Sequence, residues 1–143
     1  MKNKPIIIVA GEPNSIFFEI FIKAINSKKF KTPLILIASE NLLKLQMRQL
    51  NLNKKIKLIN FNEFSKYELN NKEINLINVN YKTKKAFEKI SNSSNQYLEN
   101  SFKIAFQLIK KGISKQPGAD IISYEILLSF NSFIAPSSKF SPI

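Results

Sequence analysis

The sequence predicts an α/β protein with a parallel, or in part mixed, sheet and flanking helices. Two short runs, residues 5–10 and Leu34–Ala38, are continuously apolar, which is typical of strands covered on both faces. A segment whose apolar residues recur with helical spacing follows each run. Strands that alternate with helices along a chain favour a parallel sheet joined by right-handed crossovers.

The first helix is expected to begin near Asn14 or Ser15, either of which can cap it, and to end near Ser27. Glu19 and Lys23 form an i, i+4 pair in the favourable order. The apolar residues of this helix follow the 3.6-residue period, so we expect them to pack in the core. They are Ile16, Phe17, Ile20, Phe21, Ala24 and Ile25.

The rest of the α/β pattern continues to Gly112, which is expected to end the last helix. Ser39 stands where the N-cap of the second helix belongs. The predicted elements after the second strand are a helix at 40–50, a strand at 57–61, a loop at 62–73, a short strand at 74–79 and a helix at about 94–111.

The chain changes character near its end. Residues 1–116 carry all but one of the 22 basic residues, and only Lys139 lies in residues 117–143. We expect residues 121–130 to form some ordered element and the chain from residue 135 onward to be frayed. The predicted organisation is therefore an α/β domain portion at 1–116 followed by an atypical tail at 117–143.

The composition narrows the function classes. A formal net charge of +12 normally suggests nucleic acid as a partner, yet Arg48 is the only arginine and the lysines are spread along the chain. We therefore expect a solvated basic surface and no nucleic-acid partner. No apolar run approaches the roughly 20 residues needed to cross a bilayer, and the chain has no cysteine. These features predict a cytoplasmic location and no membrane partner.

Most catalytic signatures are absent from the sequence. Without His and Cys, the chain cannot build a Ser-His or Cys-His nucleophile pair or a histidine-ligated metal centre. Its three glycines, Gly11, Gly112 and Gly118, are too few and too far apart for a dinucleotide-binding or P-loop motif. We therefore expect no catalytic residue and no metal ligand in this chain.

The candidate site is the loop where the first strand gives way to the first helix. Its glycine can adopt a positive φ, its proline stiffens the turn, and its Asn and Ser place oxygens near free helix N–H groups. Such an assembly either caps its own helix or holds an oxygen of a ligand, and both interpretations stay open. The candidate cleft residues are Gly11, Glu12, Pro13, Asn14, Ser15 and Glu19.

The opening of the chain resembles the start of the 4-hydroxythreonine-4-phosphate dehydrogenase family. That family begins with a strand followed by Gly-Asp/Glu-Pro-Ala-Gly-Ile-Gly-Pro-Glu. Five residues match this pattern in place, and the order of elements is similar over residues 4–116. The matching residues are Gly11, Glu12, Pro13, Ile16 and Glu19.

The resemblance implies the N-terminal portion of an isocitrate/isopropylmalate-dehydrogenase-like fold. It also implies NAD-dependent oxidation of 4-phosphohydroxythreonine, a phosphorylated small molecule, in pyridoxal phosphate biosynthesis, with NAD(P) and a divalent metal as cofactors. Ser15, Phe17 and Phe18 replace the Gly, Gly and Pro of the family, and its metal-binding histidines have no counterpart here.

We therefore expect a truncated and inactive member that binds neither cofactor alone. It would exist either as a homodimer or beside a separate C-terminal portion. The alternative is a small α/β module that binds an anion or a protein without catalysis.

Overall fold

Four parallel strands form one sheet in the part of the chain that the computed structural model describes, residues 4–89 and 91–113. The spatial order is β1-β2-β4-β3, so the connection from β2 to β3 passes over β4. This arrangement confirms the predicted α/β fold with a parallel sheet. The strands are β1 (Ile6–Val9), β2 (Leu34–Ala38), β3 (Ile56–Leu58) and β4 (Ile74–Asn78).

Within the described residues, three α-helices cover the two faces of the sheet: α1 (Phe17–Ser27), α2 (Glu40–Gln49) and α3 (Asn95–Lys110). The central strand β2 is buried along its whole length, because its side chains alternate between the two faces and each face is covered. None of the described helices is long and apolar enough to cross a bilayer.

The first face packs α1 and α2 against the sheet. Leu36 of β2, Ile22 of α1 and Leu42 of α2 are each fully buried in this layer. Burying one such side chain contributes about 1.5–3 kcal/mol relative to its exposure. The buried residues of this layer are Ala10, Phe18, Phe21, Ile22, Leu34, Leu36, Ala38, Leu42, Leu43, Met47, Ile74 and Leu76.

The opposite face packs α3 against the other side of the same strands. Ile35 and Ile37 point into this layer, and Leu108 of α3 is fully buried there. The layer therefore fixes α3 across the sheet from α1 and α2. Its buried residues are Val9, Ile35, Ile37, Ile59, Ile77, Val79, Tyr97, Ala105 and Leu108.

The predicted start of α1 was wrong. The helix begins at Phe17 with Ile16 in the N-cap position and without a side-chain cap hydrogen bond. Asn14 Oδ1 accepts from the Glu88 N–H, outside the helix, whereas Ser15 Oγ accepts from the N–H of Phe17, the first residue of α1, as a capping residue would. The loop therefore extends two residues further than a local capping rule predicts.

The predicted core face of α1 was also partly wrong. Ile16 and Ile20 are 60% and 48% exposed, whereas Phe18 and Ile22 are buried. Apolar residues occur almost all round the first two turns of this helix, so periodicity alone could not select the stripe that meets the sheet. The i, i+4 pair of Glu19 and Lys23 is present, with 2.5 Å between Oε1 and Nζ.

The segment between β3 and β4 differs from the predicted strand and loop. β3 ends at Leu58, three residues before the predicted end, and a 3₁₀ segment at Phe61–Lys66 begins at the last residue of the predicted strand and continues into the expected loop. Asn60 caps that segment by accepting from the Asn62 N–H at 3.0 Å. The predictions for residues 121–130, for residue 135 onward and for the boundary at 116 lie outside the described residues.

Candidate functional site

The candidate site lies at the carboxyl ends of the parallel strands, where loops of an α/β sheet converge. We call residues 11–15, which follow β1, the first loop. Ser39 follows β2, and Ser94 precedes α3. A third connection, residues 83–88, which we call the 83–88 segment, lies against both the first loop and α2. Three connections therefore meet at this edge of the sheet: the one from β1 to α1, the one from β2 to α2, and the one from β4 to α3, which contains both the 83–88 segment and Ser94.

The backbone of the first loop turns sharply. Gly11 has a φ of 70°, in the left-handed region that favours glycine. The Ser15 N–H then donates to the carbonyl of Glu12 at 3.2 Å, which closes a β-turn with Pro13 in its second position. Proline is favoured there because its fixed φ suits the turn. The loop is thus rigid for reasons that its own sequence supplies.

Glu12 is bound by groups of the chain itself. Its Oε2 accepts from the Ser94 hydroxyl at 2.9 Å, and its Oε1 accepts from the Asn14 N–H at 3.3 Å. Ser94 is buried, and its hydroxyl also lies 3.0 Å from the carbonyl oxygen of Ser91. A hydroxyl has only one proton to donate, and a carboxylate is a stronger acceptor than a carbonyl, so the Ser94 hydroxyl donates to Glu12. Glu12 therefore ties the first loop to the start of α3.

Asn14 and Ser15 use their side-chain oxygens in two different ways. Asn14 Oδ1 accepts from the Glu88 N–H at 3.0 Å, which joins the first loop to the 83–88 segment. Ser15 Oγ accepts from the Phe17 N–H at 3.3 Å, within the same turn. Both oxygens that the sequence offered to a helix cap or a ligand thus have partners in the chain.

Gln46 fastens the first loop and the 83–88 segment to α2. Its side chain is fully buried, and Nε2 donates to the carbonyls of Pro13 and Ala86, each at 3.0 Å. The Oε1 atom of the same amide is buried without a hydrogen-bond partner. The two donors satisfy backbone oxygens that burial would otherwise leave unpaired.

Tyr97 closes the site from the α3 side. Its hydroxyl accepts from the Ser39 N–H at 3.2 Å, and its ring lies 5.2 Å from that of Tyr81. Burial raises the pKa of Tyr97 to about 12. The side chain is 3% exposed, and its hydrogen bond to Ser39 holds the end of β2 and α3 together.

The structure brings five of the six predicted site residues together, since residues 11–15 form one hydrogen-bonded loop. Glu19 instead forms an ion pair with Lys23 on α1. Sequence reasoning missed Gln46, Ser94 and Tyr97. A signal existed for Gln46, because it is a polar residue inside the apolar stripe of α2, where a buried amide needs partners.

The described residues do not fit a divalent metal. They contain no group of three or more His, Cys, Asp or Glu side chains that could hold an ion. Glu12, the one carboxylate of the first loop, already accepts hydrogen bonds from Ser94 and Asn14. The first loop also has a single glycine, Gly11, and lacks the glycine pattern that lets a backbone approach a pyrophosphate. We therefore assign no residue to a metal or a dinucleotide.

Comparison with known proteins finds a similarity in fold but none in sequence. No model of a known protein family matches the sequence, and no curated protein matches it significantly. Among solved structures, the chain is similar to the crystal structure of a 4-hydroxythreonine-4-phosphate dehydrogenase from Burkholderia phymatum, with a TM-score of 0.63 and 16% identity. The match covers 78% of this chain and 34% of that one. The chain thus shares an α/β fold with part of a dehydrogenase and spans about a third of its length.

Proposed function

We propose that this chain is a part-length relative of the 4-hydroxythreonine-4-phosphate dehydrogenases and is inactive by itself. The fold similarity supports the relationship. So does the position of the matching motif, since Gly11, Glu12 and Pro13 form the turn that follows β1. The family reaction would be NAD(P)-dependent oxidation of a phosphorylated hydroxy acid at a divalent metal.

The proposed inactivity rests on the hydrogen bonds that the Glu12 carboxylate accepts within the chain. Both of its oxygens accept hydrogen bonds from the chain, from Ser94 and from the Asn14 N–H. These contacts orient the carboxylate toward the start of α3 and the turn of its own loop, so Glu12 acts in this proposal as a structural residue. The sequence has no histidine, and the residues that the structure describes contain no cluster of acidic side chains that would replace histidine ligands.

In this proposal the chain contributes a scaffold. The parallel sheet holds the first loop, Ser39 and the start of α3 at one edge, where a substrate would meet a further part of the enzyme. The N-terminus of α1 carries the partial positive charge of a helix start, although the Phe17 N–H already donates to Ser15 Oγ. That end of α1 is the part of the scaffold suited to orient an anionic group.

An activity assay tests the proposal. The purified chain is incubated with 4-phosphohydroxythreonine, NAD⁺ or NADP⁺, and Mg²⁺ or Zn²⁺, and reduced nucleotide is followed by absorbance. We expect no reduced nucleotide, while a full-length 4-hydroxythreonine-4-phosphate dehydrogenase assayed in parallel is active. Metal-dependent formation of NADH by this chain alone, abolished by Glu12→Gln, would overturn the proposal.

A further inference from the structure

A groove with a cationic lining lies between α2 and the 83–88 segment. Its volume is about 620 Å³, within the range of roughly 300–1,000 Å³ that is typical of small-molecule sites. It combines three cationic side chains with an apolar portion. The cations are Arg48, Lys84 and Lys85, and the apolar residues are Leu45, Ala86 and Phe87.

The three cations have no acidic partner among the described residues. The ion pairs found there involve Lys23, Lys44, Lys55 and Lys66. Three positive charges that line one groove repel one another, and a bound anion would relieve that repulsion. Arg48 is the only arginine of the sequence, and its planar fork can bind two phosphate oxygens at once, which a lysine cannot do.

The wall that carries Lys84 and Lys85 is fixed to the body of the protein. At one end of the 83–88 segment, Asn41 Nδ2 donates to the carbonyl of Thr83 at 3.0 Å. At the other end the Glu88 N–H donates to Asn14 at 3.0 Å. Between these anchors, Gln46 holds the Ala86 carbonyl, and the Lys85 N–H donates to Thr83 Oγ1 at 3.2 Å.

We propose that this groove binds a phosphorylated small molecule. Arg48, Lys84 and Lys85 would contact the phosphate, while Phe87 and Leu45 would lie against the organic part of the ligand. The apolar portion favours a ligand with a flat or apolar group over free phosphate, because burying that group adds to the attraction between charges. The proposal goes beyond the dehydrogenase relationship and does not depend on it.

The groove favours a small molecule over a nucleic acid. A nucleic-acid surface spreads many phosphate contacts along a track, whereas these three cations line a single open groove of limited size. The anion-binding alternative thus has its strongest support at the groove, since the side-chain oxygens of the first loop are already bonded within the chain.

The test is an NMR titration of the ¹⁵N-labelled chain with AMP, inorganic phosphate and adenosine as probes. We expect AMP to shift the amide signals of residues 45–49 and 84–87, phosphate to shift them with lower affinity, and adenosine to leave them unchanged. Arg48→Gln should weaken AMP binding about tenfold, and Arg48→Lys should weaken it less, about threefold. Lys84→Gln is a second variant on the opposite wall, expected to weaken binding as well.

Lys28→Gln is the matched control, because it removes one exposed positive charge beyond the end of α1. We expect it to leave AMP binding unchanged. Equal weakening by Lys28→Gln and Arg48→Gln would overturn the proposal in favour of general charge attraction. An AMP affinity weaker than about 10 mM, or tighter binding of single-stranded RNA with shifts spread over all lysines, would also overturn it.

Discussion

The first loop and the cationic groove lie next to each other, yet their polar groups are used in opposite ways. In the first loop, Glu12 and Asn14 each accept hydrogen bonds from other parts of the chain. In the groove, Arg48, Lys84 and Lys85 face a common space without an acidic partner among the described residues. Polar groups with internal partners hold the fold together, whereas unpaired like charges add no stability and gain from an external anion.

The sequence pointed to the first loop as the candidate ligand site, whereas the structure favours the groove. The first loop carries the residues on which the resemblance to a dehydrogenase family rests, and Gly11 and Pro13 shape its turn. Its side chains nevertheless stabilise the junction between β1, α3 and the 83–88 segment. The groove carries no recognisable motif, and Arg48 is distant in sequence from the adjacent Lys84 and Lys85. In this chain, the segment that resembles a known family is therefore not the segment whose side chains are free to bind a ligand.

Replacement of Gln46 should break both regions at once and have the largest effect. Gln46→Ala leaves the carbonyls of Pro13 and Ala86 buried without a donor and opens a cavity beneath α2. We expect a loss of about 3 kcal/mol in the free energy of unfolding, measured by urea denaturation. Gln49→Ala, at an exposed position of the same helix, is the control and should cost less than about 0.5 kcal/mol. Equal losses would show that Gln46 does not join the two regions.

The buried hydroxyl of Tyr97, which joins Ser39 to α3 beside the first loop, should make the stability of the protein depend on pH. Because burial raises the pKa of Tyr97 from 10.0 to about 12, its stabilising contribution is complete below pH 10 and is lost as the pH rises through 12. The expected slope between these limits is about 1.4 kcal/mol per pH unit. Tyr97→Phe should remove that slope in urea unfolding and, below pH 10, cost about 2 kcal/mol because the buried Ser39 N–H loses its acceptor.

The tyrosinate absorbance measures the same group directly. Subtracting the titration of Tyr97→Phe from that of the unchanged protein isolates Tyr97 among the four tyrosines of the chain. Its midpoint should lie near pH 12. A midpoint at the ordinary value of 10.0 would contradict the burial of Tyr97 against Ser39.

The smallest expected changes in the free energy of unfolding are those from replacing one charged residue in each region. Glu12→Ala removes the acceptor of the Ser94 hydroxyl and of the Asn14 N–H, so we expect it to cost about 1 kcal/mol. Lys84→Gln removes a groove charge without breaking any contact and should leave the free energy of unfolding unchanged. Both are measured by urea denaturation. If Lys84→Gln destabilises the protein as much as Glu12→Ala, the contrast between the two regions fails.

The elements that the sequence predicted well depend on local signals. The apolar run of β2 and the N-cap at Ser39 were predicted at the right residues, and Ser39 Oγ accepts from the Leu42 N–H at 3.3 Å. The end of α3 next to Gly112, which has a φ of 67°, was predicted as well. Each of these features is decided by neighbours within a few residues, because caps and apolar periodicity act over one helical turn.

The elements that were predicted poorly depend on distant partners. The start of α1 moved because Asn14 bonds to Glu88, 74 residues away, instead of capping the helix. The interaction that holds Glu12 joins residues 82 positions apart. No local pattern encodes such pairs, because they form only when the sheet has brought the loops together.

The sequence by itself thus determined the fold class, the parallel sheet and the glycine turn after β1, because backbone preferences and the burial of apolar runs act locally. Tertiary structure alone decided the strand order, which face of α1 is buried, and the partners of Glu12 and Asn14. It also decided that Arg48 shares a groove with Lys84 and Lys85. The physical reason is that a side chain's partner depends on which strands and loops become neighbours in space, and that follows from packing the whole sheet.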